Sequence, residues 1–148
     1  MPMIERRSLS RMTWVFKTDD YESARRARHE FASYIERCRA SADAVAESAV
    51  IFGELVGNVV RHVGGEVRVQ LTMDGSQPVL CVSDRAAFSR VEIPNRAPES
   101  ETGRGLRIVH ALAREVWIER GQSSKTICAA LPCRLQPRIP AEKGDIPI

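Results

Sequence analysis

The sequence predicts an α+β fold, a two-layer α/β sandwich in which helices cover one face of a mixed, mostly antiparallel sheet. Segments of strand and helix periodicity follow one another in the order β-α-α-β-β-loop-α-β-β rather than as repeated β-α units. The sequence Asp74-Gly75-Ser76 is typical of a hairpin turn between two of the strands. A chain of 148 residues is long enough for one domain and too short for two ordinary ones.

The first strand and the first helix open the predicted domain. Residues 12–18 are rich in β-branched and aromatic side chains, which predicts a strand. Asp19 and Asp20 then offer oxygens that can cap a helix. The apolar face of that helix is formed by residues at helical spacing, namely Ala24, Ala27, Phe31, Ile35 and Cys38. Its opposite face is basic, either as an ordinary solvated face or as a binding surface, and carries Arg25, Arg26, Arg28, Arg37 and Arg39.

The second helix carries the most informative pattern of the chain. It is predicted from Ser41 to about Val63, where Gly64-Gly65 ends it. Glu54, Asn58 and His62 recur every four residues, so they lie one above the other on a single helix face. Polar groups on a buried helix cost free energy unless they are paired. The stripe is therefore either a polar site for a ligand or the solvated stripe of an amphipathic helix.

The second half of the predicted domain begins with a hairpin and ends with another. Residues 66–72 alternate with period two, and residues 79–82 form a continuous apolar run typical of an interior strand. Residues 85–102 lack periodicity, and such long loops are often functional. The third helix is predicted to follow Gly103-Arg104-Gly105, with Leu106, Val109, Leu112 and Val116 as its apolar stripe. The last two strands are predicted at about 115–119 and 125–131.

Composition and charge indicate a cytoplasmic protein that binds neither a membrane nor nucleic acid directly. The hydrophobic fraction of 43% and charged fraction of 28% are those of a soluble globular protein. A net charge of +3 is too small to argue for nucleic acid. Residues 1–11 are charged, with no apolar run behind them, and are neither a signal peptide nor a membrane span. The four cysteines lack metal-binding spacing and indicate buried thiols in a reducing compartment.

Three further features can carry chemistry. Asp84 ends a predicted interior strand, where its carboxylate can accept a hydrogen bond from an exocyclic amine or can simply start a turn. Gly103-Arg104-Gly105-Leu106 stands at a predicted helix start, where backbone N–H groups can approach a phosphate. The Thr126 hydroxyl on the last strand could help to hold a base, although threonine is common in strands. His29 and His110 have no partner residues at ligand spacing.

Taken in order, these motifs resemble the GHKL ATPase and kinase superfamily, which has the Bergerat ATP-binding fold. Glu54-Leu-Val-Gly-Asn58-Val-Val-Arg61-His62 is similar to its N box, Asp84 to the acidic residue of its first glycine box, and Gly103–Leu106 to its second. Within the superfamily, the chain resembles the anti-sigma factor serine kinases of bacterial partner-switching systems. The resemblance covers about Met12 to Leu131. It implies an ATP-binding domain at 12–132, between an N-terminal extension at 1–11 and a flexible tail at 133–148.

The resemblance implies a role for each matched residue. Asn58 would hold Mg²⁺ at the ATP phosphates, and Glu54 would be the general base for an incoming serine. Asp84 would contact adenine. The remaining nucleotide-binding residues would be Arg61, His62, Ala86, Gly103, Arg104, Gly105 and Leu106. The implied partners are a STAS-domain anti-sigma factor antagonist and a sigma factor or another regulator, bound by a homodimer or in a hetero-complex.

One departure from the family pattern keeps a second hypothesis open. The first glycine box has glycines where this chain has Ala86 and Phe88, in the segment Asp84-Arg85-Ala86-Ala87-Phe88. Each added Cβ restricts φ and thickens the wall beside the nucleotide. The chain is therefore predicted to be an ATP-dependent protein-serine kinase or, alternatively, a non-catalytic partner-binding regulator with a degenerate nucleotide site. A nucleic-acid-binding module, which the basic face of the first helix alone would support, is the weakest interpretation.

Overall fold

The computed structural model describes residues 9–84, 99–120 and 125–135. These segments form five strands and three helices, which follow one another as β1 (Leu9–Lys17), α1 (Tyr21–Arg37), α2 (Ala42–His62), β2 (Glu66–Asp74), β3 (Gln77–Asp84), α3 (Glu99–Leu112), β4 (Glu115–Arg120) and β5 (Lys125–Ala130). The order of elements and the α+β class predicted from the sequence are confirmed.

The five strands form one sheet in the order β1-β2-β3-β5-β4, with every neighbouring pair antiparallel. The last strand in the sequence, β5, thus lies inside the sheet between β3 and β4. Along β2, alternate residues from Val67 to Met73 are buried, as expected when one face of a sheet is covered. The helices supply that cover, because α2 packs on β2 and β3 and also contacts both α1 and α3. The architecture is a two-layer α/β sandwich.

Side-chain caps and glycines define the ends of α1 and α2. Asp20 Oδ1 accepts a hydrogen bond of 3.0 Å from the Ser23 N–H, and Ser41 Oγ accepts one of 3.1 Å from the Ala44 N–H. Beyond the C-terminus of α2, Gly64 and Gly65 both have φ of +81°, a left-handed conformation that favours glycine. The bounds of α2 agree with the prediction to within one residue at each end.

An aromatic cluster ties the first strand to the first two helices. The ring of Trp14 on β1 lies edge-on to Phe31 of α1 and Phe52 of α2, at centroid distances of 6.3 and 5.8 Å. Phe31 and Phe52 are 5.1 Å apart and essentially fully buried. Truncating either phenylalanine to alanine would cost about 3–5 kcal/mol, as is typical of buried aromatic residues. This core fixes the position of α2 over the sheet. In the parts of the chain described, none of the helices combines the length and the apolarity needed to cross a membrane.

The structure departs from the sequence predictions around α3 and at the C-terminal end. The helix begins at Glu99, so Gly103 and Gly105 lie within it and not at its start. The acidic residues Glu99 and Glu101 favour an earlier start, because carboxylates stabilise the first turn of a helix. Val116, assigned to the helix stripe, lies on β4. The packed chain extends past residue 132 to Leu135, which is buried and donates its N–H to Ser76 O at 2.8 Å.

Candidate functional site

The chain topology brings the predicted site residues to one end of the sandwich. The C-terminus of α2 leads through Gly64-Gly65 into β2, whose second residue, Val67, pairs with Asp84 at the end of β3. The first residue of β5, Lys125, pairs with Asp84 from the other side. The C-terminus of α3 leads into β4 at the opposite end of the sheet, where Glu115 pairs with Ala130. The N-terminal half of α3 therefore lies at the Asp84 end.

Asn58 is the central polar residue of this end. It lies on α2 with only 7% of its surface exposed. Within the described part of the chain, its carboxamide oxygen Oδ1 has no hydrogen-bond partner. An unsatisfied buried oxygen of this kind costs about 1–3 kcal/mol. Oδ1 is therefore a buried acceptor without a partner in the described residues, and it lies towards the C-terminus of α2, which leads to the Asp84 end of the sandwich.

Glu54 and Arg61 lie around Asn58 on the more accessible side of α2. Glu54 is half-buried and stands one turn before Asn58, about 6 Å along the helix axis. Arg61 is exposed, and its side chain folds back along the helix towards Gly57. A Cβ atom added to Gly57 would lie 3.0 Å from Nη1 of Arg61. His62 is the last residue of α2, and its side chain lies outside the described part of the structure.

Asp84 supplies a buried carboxylate at the end of β3. It is 4% exposed and lies on the helix-covered face, since alternate residues Leu80, Val82 and Asp84 point to the same side of a strand. Its direct neighbour in the ladder is Lys125, and directly opposed side chains share a face. Lys125 was not among the predicted site residues. Counting back by two from the buried Ile127 would have placed it on this face.

Thr126, whose hydroxyl is predicted to help to hold a base, lies on the face of the sheet opposite to that of Asp84. It pairs in register with Ser83, and the two hydroxyl oxygens are 2.7 Å apart on the outer face of the sheet. The physical reason is the period-two alternation of a strand, in which a shift of one residue moves a side chain to the other face. Strand propensity alone could not decide which face of the sheet the Thr126 side chain points to.

The segment Gly103-Arg104-Gly105 lies in the second turn of α3, and Leu106 follows it half-buried against the core. Val109, one turn later, is fully buried and anchors the helix. The backbone of the two glycines therefore belongs to the end of the sandwich that holds Asn58 and Asp84. Ala86, which is predicted to lie beside the nucleotide, belongs to segment 85–98, outside the described residues.

The described residues fit a nucleotide with a bound magnesium ion. Magnesium prefers oxygen ligands and usually takes only one or two from the protein when phosphates supply others. The unsatisfied Oδ1 of Asn58 is such a ligand. Asp84 offers a carboxylate in a dry environment, where it can accept a hydrogen bond from an amine. The first turn of α3, which precedes the two glycines, offers backbone N–H groups and the positive end of a helix dipole at the same end of the sandwich.

Comparison with known proteins agrees with this arrangement. A family model described as a histidine kinase-like ATPase domain matches residues 18–131. The match covers more than half of the chain and includes α2, β3, α3 and β5, the elements that form the site. A comparison with curated proteins found no matching relative.

Proposed function

The chain belongs to the histidine kinase-like ATPase domain family, and we propose that it is an ATP- and Mg²⁺-dependent protein-serine kinase. Its substrate would be a small STAS-domain anti-sigma factor antagonist, and its second partner a sigma factor or a similar regulator. An ATPase domain of this family implies ATP binding. The observation that carries the proposal is the buried, unsatisfied Oδ1 of Asn58, with the Glu54 carboxylate one turn away on the accessible side.

The proposed chemistry depends on positioning more than on covalent catalysis. Asn58 would hold Mg²⁺ through Oδ1, and the bound ion supplies positive charge at the phosphate oxygens. Asp84 would accept a hydrogen bond from the adenine amine, which fixes the base at the end of β3. Glu54 would orient the substrate serine and take its hydroxyl proton as the oxygen attacks the γ-phosphate. Lys125, next to Asp84 in the ladder, would add positive charge at the same end.

The basic face of α1 is the proposed surface for the acidic regulator. Arg25, Arg26 and Arg28 are all exposed, and their helix packs against α2, which carries Asn58. A cluster of exposed arginines attracts an acidic partner and accelerates its association. A homodimer or a hetero-complex would then place the regulator next to the nucleotide end of the sandwich.

A second candidate function is a non-catalytic regulator that binds partners through the same fold. The specific observation in its favour is the replacement of the glycines of the first glycine box, with Ala86 and Phe88 at those positions. Side chains there would narrow the space next to the nucleotide. A protein of this kind would keep the basic face of α1 and would lose or weaken phosphoryl transfer.

One experiment separates the two candidates. The purified protein is incubated with labelled ATP, Mg²⁺ and the candidate STAS-domain antagonist, in parallel with its Glu54→Gln variant. We expect label on an antagonist serine with the wild type, and a rate lower by about 10²–10⁴-fold with Glu54→Gln, because only the general base is removed. Absence of label, together with an unchanged melting curve at saturating Mg·ATP, would refute the kinase proposal and favour the regulator. Equal rates for both proteins would refute the role of Glu54.

A further inference from the structure

The outer face of the sheet, turned away from the helices, carries a pair of thiols at its centre. Cys81 of β3 and Cys128 of β5 are direct partners in the antiparallel ladder, and their Sγ atoms are 2.9 Å apart. Both are free cysteines. Directly opposed residues of an antiparallel pair have Cα atoms about 4.5–5.5 Å apart, within the range of about 4.4–6.8 Å that a disulfide spans. A bond of about 2.05 Å therefore requires only a small further approach of the sulfur atoms.

We propose that Cys81 and Cys128 are an oxidation site, at which a hydroperoxide converts the two thiols into a reversible disulfide between β3 and β5. The site is independent of the proposed kinase activity, since it lies on the opposite face of the sheet from Asn58 and Asp84. Its substrate class is a small peroxide, such as hydrogen peroxide, and a small thiol would reverse the reaction.

The surroundings of the two cysteines assign them different roles. Cys81 is partly exposed, whereas Cys128 is completely buried. The contact with Cys81, burial and the nearby Glu119 carboxylate all raise the pKa of the Cys128 thiol. Because the thiolate is the nucleophile in thiol oxidation, the accessible Cys81 is the sulfur that meets the peroxide first, and Cys128 is the resolving thiol.

The reaction balances in two steps. The Cys81 thiolate attacks one peroxide oxygen, the O–O bond breaks, and the departing alkoxide or hydroxide takes a proton, leaving Cys81 as a sulfenic acid. Cys128 Sγ then attacks the sulfenic sulfur. The S–O bond breaks, and the hydroxide that leaves takes the Cys128 proton to form water. Two thiols are oxidised, and one peroxide is reduced to water and an alcohol or a second water.

Trp117 makes the reaction observable. It is the direct partner of Cys128 across β4 and β5, so its indole lies on the same outer face as the thiol pair. The other tryptophan, Trp14, lies on the helix-covered face in the aromatic core. A disulfide next to Trp117 should quench its fluorescence, and a Trp14→Phe substitution leaves Trp117 as the single reporter, because the chain has only 2 tryptophans.

The test uses the full chain with Cys38→Ser and Cys133→Ser, so that only the proposed pair remains. We expect hydrogen peroxide to remove two hydrogen atoms from the intact mass and to link the Cys81 and Cys128 peptides in a non-reducing digest. It should also quench Trp117 and raise the melting temperature by on the order of 10 °C, since the bond closes a long loop of the unfolded chain. Dithiothreitol should reverse all four changes.

Two matched variants test the assigned roles. Cys128→Ser should stop at a sulfenic acid on Cys81 that dimedone traps, and Cys81→Ser should react much more slowly and form no crosslink. The proposal is overturned if peroxide leaves both thiols free in the folded protein. It is also overturned if Cys81 proceeds to sulfinic acid or to dimers between chains while Cys128 stays reduced.

Discussion

Replacing Asn58 by leucine should separate the stability of the domain from its capacity to bind a nucleotide. Asn58 is 7% exposed, and its Oδ1 is unsatisfied within the described part of the chain. Leucine has a similar volume and removes a buried polar group that costs about 1–3 kcal/mol. Without nucleotide, we therefore expect Asn58→Leu to raise the free energy of unfolding by about 1 kcal/mol and the melting temperature by roughly 2–6 °C.

The same substitution should abolish stabilisation by Mg·ATP. A ligand at about 100 times its Kd adds about 2.7 kcal/mol to the stability of the native state, provided that its site is intact. Wild type should therefore overtake Asn58→Leu when saturating Mg·ATP is added, although the variant is the more stable protein without it. Denaturation by urea and by heat, each with and without Mg·ATP, measures both effects.

Ser48 provides the matched control on the same helix. It is completely buried, and within the described residues its hydroxyl oxygen has no partner in hydrogen-bond geometry. The Cys133 thiol lies nearby: burial raises the pKa of this thiol, and the Ser48 hydroxyl and Arg114 partly offset that rise. Ser48→Ala should therefore leave the Mg·ATP shift unchanged.

Two results would refute the reasoning. Lower stability of Asn58→Leu without nucleotide would mean that another part of the chain already satisfies the amide oxygen. A full Mg·ATP shift in the variant would mean that Asn58 is not the residue that holds the metal. Loss of the shift in Ser48→Ala as well would show that the assay reports general damage to α2.

Three further predictions concern helix surfaces. Reversing both charges in Arg25→Glu/Arg26→Glu should weaken binding of an acidic regulator by about tenfold and reduce the salt dependence of that binding. If wild type and variant bind the regulator equally well at low salt, the basic face of α1 is only a solvated surface. Gly53→Ala in α2 should stabilise the protein by about 0.5–1 kcal/mol, because alanine favours the helix more than glycine does. The new Cβ has room, since its nearest atom, in the Arg28 guanidinium, is 3.7 Å away. Urea denaturation measures this gain. Hydrogen bonds from Ser23 lower the pKa of the N-cap Asp20 in the folded protein, so its contribution is present above the unfolded pKa and is lost as pH falls through the folded value. The melting temperature of Asp20→Ala should therefore differ from wild type at about pH 6, above the unfolded pKa of about 3.9, and the difference should shrink as the pH falls below that pKa.

The sequence predicted best those features that depend on local chemistry. The four-residue spacing of Glu54 and Asn58 on α2 survives in the structure because helix periodicity is a local property. Gly64 and Gly65 end α2 where expected, because their left-handed φ is also a local requirement. Asp84 lies at the end of an interior strand, as its position after a continuous apolar run predicted.

Features that depend on the pairing of distant segments could not be predicted in the same way. Whether Thr126 or Lys125 shares a face with Asp84 is decided by the register of β3 with β5, which local strand propensity does not encode. The start of α3 at Glu99 reflects competition between acidic residues that favour a first turn and glycines that disfavour helix. A glycine motif alone does not decide where such a helix starts.

The position of β5 inside the sheet has a consequence for how the chain is made. During synthesis the first four strands and the three helices of the described residues emerge before β5, so β3 has an unpaired edge until residues 125–130 arrive. An exposed edge of an apolar strand is a surface on which nascent chains aggregate. The nucleotide end is also incomplete until then, because Lys125 opposes Asp84 only after this insertion. A chain that stops before β5 would therefore lack the cross-strand partner of Asp84 and would expose the edge of β3 to aggregation. The described fold is complete only after nearly the whole domain has left the ribosome.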